Sequence, residues 1–357
     1  TQIAGRKVAA EKIPSWWEIE KIWYPKHLSL EQCSSEITAR YKARLLQGDS
    51  LTDLTGGFGI DCSFLATGFK SATYVERQEE LCEIAAHNFP VLNLNHINIK
   101  NEDGVTYLQA MSPVDCLFLD PARRNEHGGK TVAISDCEPN VAELEELLLQ
   151  KANRVMIKLS PMLDLSLALK ELKQTQEVHI LSVNNECKEL LILLGQTSPA
   201  EISIHCVNLF TKGTQKEQHF VFTREQEQCS ECTYTDSLET YLYEPNASLL
   251  KAGAFRSIAA AYPVRKLHPN SHLYTSDTFI ENFPGRIFRI VNQCSFNKKE
   301  VKENLADLKK ANVTVRNFPA TVAELRKRIH LAEGGDTYLF ASTLNNGQKV
   351  LIRCEKV

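Results

Sequence analysis

The sequence predicts an α/β fold in which a doubly wound, mostly parallel sheet is followed by a smaller α+β region. Between residues 50 and 224, short apolar runs alternate with helical patterns, the order expected when helices cover both faces of a parallel sheet. A glycine-rich turn follows the first of these runs, at 53–61. The 357 residues suffice for about two domains, and 43% hydrophobic with 24% charged residues is typical of a folded protein.

The elements of the first part follow from these patterns in chain order. A helix is predicted at 30–46, after a segment that holds all three tryptophans and that we expect to pack on the sheet. Strands are predicted at 51–54, 72–76, 97–99, 115–120, 154–158, 177–183, 202–208 and 219–223, and helices at 79–88, 141–150 and 165–172. No helix separates the last two strands, so they are predicted to form an antiparallel pair at one edge.

The second part begins after a polar, cysteine-containing stretch at 226–236 that we interpret as a linker or long loop. A helix is predicted at 247–261. The remaining pattern is strand 286–292, helix 298–310, strand 313–316, helix 321–330 and strands 336–343 and 349–354. The predicted domains are an N-terminal helical segment (1–49), the sheet domain (50–236) and two small units (240–283 and 284–357).

Several classes of protein are excluded by composition. No run of about 18 apolar residues is present, and the first residues are polar, so we expect a cytoplasmic protein without a membrane segment. The 11 cysteines show no repeated spacing, which favours reduced thiols. Only Cys229 and Cys232 have a metal-ligand spacing; because no second pair accompanies them, no metal is expected.

Charge is distributed unevenly along the chain. From Gly285 to His330 there are 11 basic and four acidic residues, a local excess of +7 that leaves −10 for the rest of a chain with net charge −3. Such a segment suggests an anionic partner such as nucleic acid, although a solvated helix face is the alternative. Phe318 and Tyr338 lie in or near it and could stack on bases.

The glycine-rich turn at 53–61 is the strongest local signal. Its glycines allow a tight turn and a close approach of a ligand to the backbone. Glu76 ends the next strand, 23 residues after Asp53, near the spacing of about 20 residues expected for a carboxylate that binds a ribose. These features fit NAD and S-adenosylmethionine equally, although the turn lacks the third glycine or alanine of the NAD fingerprint.

Two later strands end in further polar residues. Asp103 and Gly104 follow the third strand, where a carboxylate or backbone group can contact an adenine amine. The fourth strand ends in Asp120, Pro121 and Ala122, followed by Arg123 and Arg124. This turn places a carboxylate at the edge of the sheet where ligands of open α/β folds bind. Dehydrogenases do not need it, whereas methyltransferases of nucleobases often have a comparable turn.

Taken together, these motifs resemble those of class I S-adenosylmethionine-dependent methyltransferases. A closer resemblance, covering essentially the whole chain, is to a bacterial methyltransferase family with a ferredoxin-like segment (240–283) and a THUMP-like C-terminal domain (284–357). The residues that carry it are Glu31–Glu36, Asp120–Arg124, Lys158–Met162, Glu186–Leu190, Tyr241–Asn246 and Arg316–Pro319. THUMP domains of RNA-modifying enzymes bind tRNA, so the resemblance implies RNA, as tRNA or rRNA, as the partner.

The resemblance also implies roles for individual residues, with S-adenosyl-L-methionine as the cofactor. Asp120, with Pro121 and Arg123, would orient a base and ease its deprotonation, although Arg123 stands where related enzymes have an aromatic residue. The substrate would be bound by Arg123, Arg124, Lys158, Ser160, Lys298, Lys299, Lys309, Lys310 and Arg316. The cofactor would be bound by Gln32, Ser34, Ser35, Asp53, Thr55, Gly56, Gly57, Phe58, Gly59, Asp61, Glu76, Arg77, Asp103, Gly104 and Asp120.

The favoured hypothesis is therefore a methyltransferase that modifies a base in structured RNA. A methyltransferase of a small molecule or a protein is the first alternative, and it predicts turnover without RNA. An RNA-binding protein without catalytic activity is the second.

Overall fold

The computed structural model describes residues 2–25, 31–123 and 133–357. The chain divides into two compact units. The first comprises Thr1–His205 with Leu209–Glu217, and the second comprises Cys206–Asn208 with Gln218–Val357. Among the described residues, no helix is long and apolar enough to cross a membrane.

A nine-stranded sheet contains the strands predicted between 50 and 224, with one addition. In chain order these are β1 (Ser50–Asp53), β2 (Ser71–Glu76), β3 (Ile97–Asn101), β4 (Val114–Leu119), β7 (Ala152–Leu159), β8 (Thr175–Val183), β9 (Glu186–Gly195), β10 (Ser203–Leu209) and β11 (Glu217–Thr223). The spatial order is β11-β10-β8-β9-β7-β4-β1-β2-β3. The five adjacent strands β3, β2, β1, β4 and β7 run parallel to one another, which confirms the predicted fold class. A separate two-stranded sheet pairs β5 (Ala122–Arg123) with β6 (Cys137–Glu138).

The sheet differs from the prediction in one strand, whereas β10 and β11, the predicted edge pair, are neighbours at one edge. β9, which the sequence pattern missed, lies between β7 and β8 and runs antiparallel to both. It follows a tight turn in which Asn184 and Asn185 have φ of 49° and 68°, a conformation that asparagine tolerates in hairpins. Because β9 is buried on both faces, its apolar residues run continuously from Leu190 to Leu194 and lack the alternation that marks a half-exposed strand.

The helices of the first unit cover the sheet. They are α1 (Gln2–Lys12), α2 (Pro14–Trp17), α3 (Glu36–Ala43), α4 (Ile60–Ala66), α5 (Glu79–Val91), α6 (Gly104–Ala110), α7 (Val141–Lys151) and α8 (Leu165–Glu171). The side chains of Asp103, Asn140 and Asp164 accept backbone N–H groups at the starts of α6, α7 and α8. These caps satisfy N–H groups that a helix start leaves without intrahelical partners.

The N-terminal segment packs on the glycine-rich turn. The ring of Trp16, 2% exposed, lies edge-on to Phe58 with ring centroids 5.2 Å apart. Asn88 of α5 exchanges two hydrogen bonds of 2.9 Å with the backbone of Trp23. The burial of Trp16 and Phe58 therefore holds the start of the chain against the turn that follows β1.

A polar cluster joins α3 to β8. Tyr41 Oη lies 2.8 Å from His179 Nδ1, and the ring of His179 stacks on His205 at 4.3 Å. Glu177 receives a 2.9 Å hydrogen bond from Arg154, and its contact with His179 is the main reason why its pKa falls to about 2. Glu177, His179 and His205 each have an oxygen or nitrogen atom that could bind a metal, and these atoms lie within 4.8 Å of one another. However, Glu177 already contacts Arg154 and His179, and His179 also contacts Tyr41.

The second unit is built on a seven-stranded sheet. Its strands are β12 (Tyr241–Pro245), β13 (Arg265–Lys266), β14 (Tyr274–Ser276), β15 (Gly285–Ser295), β16 (Lys310–Val315), β17 (Ala332–Thr343) and β18 (Lys349–Lys356). Their order is β13-β14-β12-β15-β18-β17-β16. The helices are α9 (Arg224–Cys229), α10 (Ala247–Ala252), α11 (Phe255–Ala261), α12 (Lys298–Leu305) and α13 (Val322–Ile329).

Several details of the second unit differ from the predictions. The strands β12, β13 and β14 were not predicted, and α12 ends at Leu305, before the predicted end at residue 310. The stretch interpreted as a linker begins within α9, which Thr223 caps through the Gln226 N–H. The single helix predicted at 247–261 is two helices, because Gly253 ends α10 in the left-handed region with φ of 76°. That conformation is accessible to glycine without the steric cost that a Cβ brings.

Candidate active site

A large cavity lies in the first unit at the carboxyl ends of the parallel strands. Its volume is about 2280 Å³, and its walls include the strand-end residues Asp53, Glu76, Asp120 and Lys158. Strands that run parallel bring their carboxyl ends to one edge of the sheet, so residues far apart in the chain meet there. The cavity therefore brings together the strand-end carboxylates Asp53, Glu76 and Asp120, and the other two predicted carboxylates, Asp61 and Asp103, also line it.

The glycine-rich turn forms one wall of this cavity. A Cβ on Gly56 would lie 2.3 Å from the ring of Tyr74, and Gly57 has φ of 54°. The hydroxyl of Tyr74 donates a hydrogen bond to the carbonyl oxygen of Gly57. Packing leaves no room for a side chain at Gly56, and Gly57 has a backbone conformation that favours glycine.

Glu76 connects this turn to the end of β2. Its carboxylate accepts hydrogen bonds from the N–H of Gly57, at 2.9 Å, and from the N–H of Gln78, at 2.8 Å. The residue is 8% exposed and lines the cavity. Each carboxylate oxygen has further acceptor capacity, so Glu76 can hold the turn and still accept hydrogen bonds from a ligand.

Asp53 and Asp120 are linked through Thr55. The Thr55 N–H donates to Asp53 Oδ1 at 2.9 Å, and the Thr55 Oγ1 accepts from the Asp120 N–H at 2.6 Å. Burial raises the pKa of Asp53 well above its usual range, and the neighbouring carboxylates of Asp61, Asp120 and Glu76 add to that effect. This desolvated carboxyl group would favour a cationic ligand group beside it.

Lys42 of α3 lies at the centre of a buried ionic cluster. Its side chain is 0% exposed, and Nζ lies 2.9 Å from Asp61 Oδ1 and 2.6 Å from Glu189 Oε2. Nζ also donates to Ser34 Oγ at 2.9 Å, and Ser34 in turn donates to Asp61 Oδ2 at 2.7 Å. Lys42 and Ser34 therefore hold Asp61 by both of its oxygens.

Lys158, at the end of β7, extends this cluster to the edge of the sheet. Its ammonium forms an ion pair with Asp120 Oδ2 and lies 3.9 Å from Asp61 Oδ2. Burial opposes the charged form of Lys158, but Asp120, Asp61 and Glu189 outweigh it, so the lysine pKa is raised. Burial also raises the pKa of Asp120 despite the opposing effect of Lys158. Burial acts in the same direction on Asp61, but Lys42 and Lys158 overcome it and lower that pKa.

The remaining residues predicted to bind the cofactor occupy different environments. Asp103 Oδ1 caps α6 by accepting hydrogen bonds from the N–H groups of Val105 and Thr106. A contact with the adenine amine stays a prediction, and Oδ2 is the oxygen that would make it. A Cβ on Gly104 would lie 2.2 Å from the carbonyl oxygen of Leu54. The Arg77 side chain, 62% exposed, pairs with Glu138.

The N-terminal residues predicted to contact the cofactor also line the cavity. They are Gln32, Ser34 and Ser35. Gln32 is exposed, whereas the hydroxyl of Ser35 shares a 3.2 Å hydrogen bond with Thr38 Oγ1. The ring of Phe58 packs in the core against Trp16 and Tyr24, although Phe58 also borders the cavity.

Part of the predicted substrate site lies outside the described residues. Arg124 and the Arg123 side chain belong to that part, whereas the Arg123 backbone pairs with Cys137 in the two-stranded sheet. Pro121 and Ser160 border the cavity on the same side as Asp120 and Lys158. Ser160 Oγ also accepts a hydrogen bond of 3.2 Å from the N–H of Met162.

The basic residues predicted in the C-terminal segment fall into two groups. Lys298, Lys299, Lys309 and Lys310 are exposed. Arg316 lies 3.0 Å from Glu244, which also pairs with Arg286.

The predicted base-stacking side chains of that segment are engaged elsewhere. Phe318 contacts Phe296 at 4.8 Å, and Tyr338 contacts Phe288 at 4.9 Å. Both side chains are half-buried, so stacking of their remaining ring surface on bases stays a prediction.

The sequence did not single out Lys42 or Glu189. Lys42 lies in a correctly predicted helix, but a lysine in an amphipathic helix is normally exposed. Glu189 lies within Glu186–Leu190, which contributed to the family resemblance without an assigned role. A charged residue immediately before the apolar run of β9 was the available signal.

The comparisons with known proteins bear on both units. Residues 241–284 match a ferredoxin-like domain family, and residues 285–356 match a THUMP domain-like family. No curated protein matches the chain. One solved structure that matches is that of a "putative methyltransferase" from Porphyromonas gingivalis W83, with 37% identity and a TM-score of 0.90. The match covers 100% of this chain and 89% of that one.

Two more distant structures match only part of the chain. One is a "putative methyltransferase" from Streptococcus mutans in complex with SAH, with 14% identity and a TM-score of 0.33 over 45% of this chain and 96% of that one. The other is an rRNA methylase from Streptococcus thermophilus, with 14% identity and a TM-score of 0.32 over 44% of this chain and 93% of that one. The full-length match shows that the chain belongs to the methyltransferase family represented by the Porphyromonas gingivalis protein, with ferredoxin-like and THUMP-like domains in its C-terminal part.

Proposed function

We propose that the protein is a class I S-adenosylmethionine-dependent methyltransferase that acts on structured RNA, either tRNA or rRNA. The observation that carries this proposal is the convergence of Asp53, Glu76 and Asp120 on one cavity beside a glycine turn. A cofactor with an amino group, a ribose and a base needs several polar contacts in sequence along such an edge.

The cavity offers hydrogen-bond acceptors that fit the proposed cofactor. The cofactor, when bound, supplies a methyl group on a positively charged sulfur. Gly56 lets the turn pack closely on Tyr74, and Gly57 takes a positive φ, so the turn keeps its tight shape along the cavity wall. Asp53 would bind the cationic amino group, Glu76 the ribose hydroxyls, and Asp103 the adenine amine.

The acceptor would enter at the edge formed by Asp120 and Lys158. Methyl transfer is an in-line displacement, so the protein has to align the acceptor and stabilise the charge that moves during the reaction. Asp120 is held from its backbone by Thr55 and from its side chain by Lys158, which leaves little freedom for the carboxylate. Such restraint favours a positioning or proton-accepting role.

The RNA assignment is supported by the second unit. Residues 285–356 match the THUMP domain-like family, and the four exposed lysines lie within this range. Exposed lysines that neutralise phosphates provide affinity without base specificity. A small-molecule or protein acceptor would leave this basic segment without a binding role.

The first test combines binding and transfer with the full-length protein. Calorimetric titration should show binding of S-adenosylmethionine and none of NAD, and labelled methyl groups should appear in total cellular RNA. Binding without label in RNA would favour a small-molecule or protein acceptor. An absence of cofactor binding would contradict the enzymatic assignment and leave an RNA-binding protein.

For a matched control, Glu83→Ala changes an exposed carboxylate on α5 outside the cavity. This variant should bind and transfer as the unaltered protein does. A parallel loss in Glu83→Ala and Glu76→Ala would show that the assay responds to general damage to the fold.

A further inference from the structure

The acceptor side of the cavity has an unusual charge arrangement for methylation of a base. Lys158 lines the cavity, and its side chain is only 11% exposed. The ammonium pairs with Asp120 Oδ2 and lies 3.9 Å from Asp61 Oδ2. A buried cation therefore lies beside the carboxylate that would face the acceptor.

The rest of the ionic cluster holds this cation in place. Asp61 cannot turn freely towards Lys158 or away from it, because Lys42 and Ser34 contact its two oxygens. Glu189 holds Lys42 from the other side at 2.6 Å. Lys42, Asp61 and Glu189 are thus positioning residues for Lys158, and the cluster spans α3, α4, β7 and β9.

The charge of Lys158 discriminates between two kinds of acceptor. An amine nitrogen that attacks a methyl group develops positive charge, which a neighbouring ammonium disfavours. A hydroxyl oxygen must lose its proton and develops negative charge, which the same ammonium stabilises. The turn Asp120–Arg124 also lacks an aromatic side chain that could hold a flat base against the carboxylate.

We propose that the acceptor is a hydroxyl group, the ribose 2′-hydroxyl of an RNA nucleotide, with Asp120 as proton acceptor and Lys158 as the stabiliser of the developing oxyanion. This inference rests on the proposed RNA substrate and replaces the base expected from the sequence. Asp120 Oδ2 is paired with Lys158, and Oδ1 is the oxygen that would receive the proton. The raised pKa of Asp120, caused first by burial, makes its carboxylate a stronger base than an exposed one.

The reaction balances with these groups alone and a sulfonium methyl donor. The hydroxyl oxygen forms a bond to the methyl carbon as the carbon–sulfur bond breaks. The electron pair of that bond returns to sulfur, which becomes a neutral thioether. The hydroxyl proton passes to Asp120, and Lys158 remains an ammonium throughout. Asp120 then releases the proton to solvent.

The deciding experiment is the chemical position of the transferred methyl group. The full-length protein is incubated with methyl-labelled S-adenosylmethionine and with total RNA from cells that lack this protein. The RNA is then hydrolysed in alkali. Cleavage by alkali requires a free 2′-hydroxyl, so 2′-O-methylation leaves label in resistant dinucleotides. Label in mononucleotides would overturn the hydroxyl assignment and leave the RNA methyltransferase intact. An absence of label in RNA, with the cofactor still bound, would overturn both.

Variants of Lys158 provide the second arm. Lys158→Met should lower kcat by about 10²- to 10³-fold, as expected for loss of one oxyanion-stabilising group, with the cofactor Kd and the KM for RNA unchanged. Lys158→Arg keeps the positive charge and should restore part of the rate. Lys170→Met, an exposed lysine on α8, is the matched control and should be fully active. A Lys158→Met protein that folds and keeps its rate within tenfold would overturn the role of Lys158.

Discussion

Replacing Lys42 with methionine tests whether the ionic cluster is as tightly coupled as its geometry indicates. The side chain is 0% exposed and contacts Asp61 at 2.9 Å and Glu189 at 2.6 Å. Methionine has a similar volume but no charge, so the change removes the nearest cation from two buried carboxylates and leaves Lys158, 3.9 Å from Asp61, as the remaining one. Removing one partner of a buried ion pair costs about 3–5 kcal/mol, so we expect a loss of this size in the free energy of unfolding of the first unit.

Tryptophan fluorescence during urea unfolding is the natural assay. All three tryptophans of the chain, Trp16, Trp17 and Trp23, lie in the first unit, and Trp16 is 2% exposed. The signal therefore reports on the unit that contains Lys42. Lys42→Arg keeps the charge and serves as the second variant if the methionine protein does not fold.

The matched control is an exposed ion pair of the same length. Lys70 Nζ lies 2.9 Å from Asp49 Oδ2, with 79% and 70% of the two side chains exposed. Since solvent already screens that pair, Lys70→Met should leave the unfolding midpoint unchanged. Equal effects of Lys42→Met and Lys70→Met, or a loss below about 1 kcal/mol for Lys42→Met, would refute the coupling that burial implies.

Three further predictions follow from the site and the second unit. Glu76→Ala should weaken cofactor binding by about 10- to 100-fold per lost ribose hydrogen bond, whereas Asp120→Asn should abolish methyl transfer without weakening cofactor binding. Calorimetry measures the binding and labelled transfer measures the activity. Equal losses of cofactor binding in the two variants would contradict this division of roles. Replacing Lys298, Lys299, Lys309 and Lys310 with glutamine should weaken RNA binding. The slope of the logarithm of the binding constant against the logarithm of the salt concentration should also flatten, by about one unit per lost phosphate contact. The control, Lys170→Gln with Lys173→Gln, should leave that slope unchanged, and the same result for the four lysines would mean that they form a solvated face. Burial lowers the pKa of Lys266 to about 8, below the ordinary value of 10.5. Between these two pH values the unfolded chain binds more protons than the folded one, so the free energy of unfolding should rise with pH. Thermal unfolding at a series of pH values should show this rise in the unaltered protein and not in Lys266→Met, and identical slopes of stability against pH would contradict the prediction.

Much of the first unit could be predicted because its signals are local. Asp53, Glu76 and Asp120 each follow a short apolar strand, and parallel strands necessarily bring their carboxyl ends to one edge. The turn at Gly56 and Gly57 could also be predicted from local sequence, because a tight turn excludes side chains in any fold. β9 was missed because burial on both faces removes the alternation on which a strand prediction depends.

Other predictions depended on side-chain environment and were less secure. Phe318 and Tyr338 are aromatic residues in or near a basic segment, but their rings pack against Phe296 and Phe288. Arg316 was counted with the free basic residues, whereas Glu244 pairs with it. A sequence gives the charge of a residue without showing which neighbour neutralises it.

The sequence by itself determined most strands and helices of the first unit, though not β9, together with the glycine turn and the three strand-end carboxylates, because hydrophobic periodicity and turn chemistry act over a few residues. The tertiary structure decided which charges meet. Lys42 and Glu189 are 147 residues apart, and Lys158 and Asp120 are 38 apart. The packing of α3 on the sheet and the placement of β9 bring Lys42 to Glu189, whereas the parallel pairing of β4 with β7 brings Asp120 to Lys158. Burial then determines their electrostatics, because a charge removed from water depends on the few partners within reach.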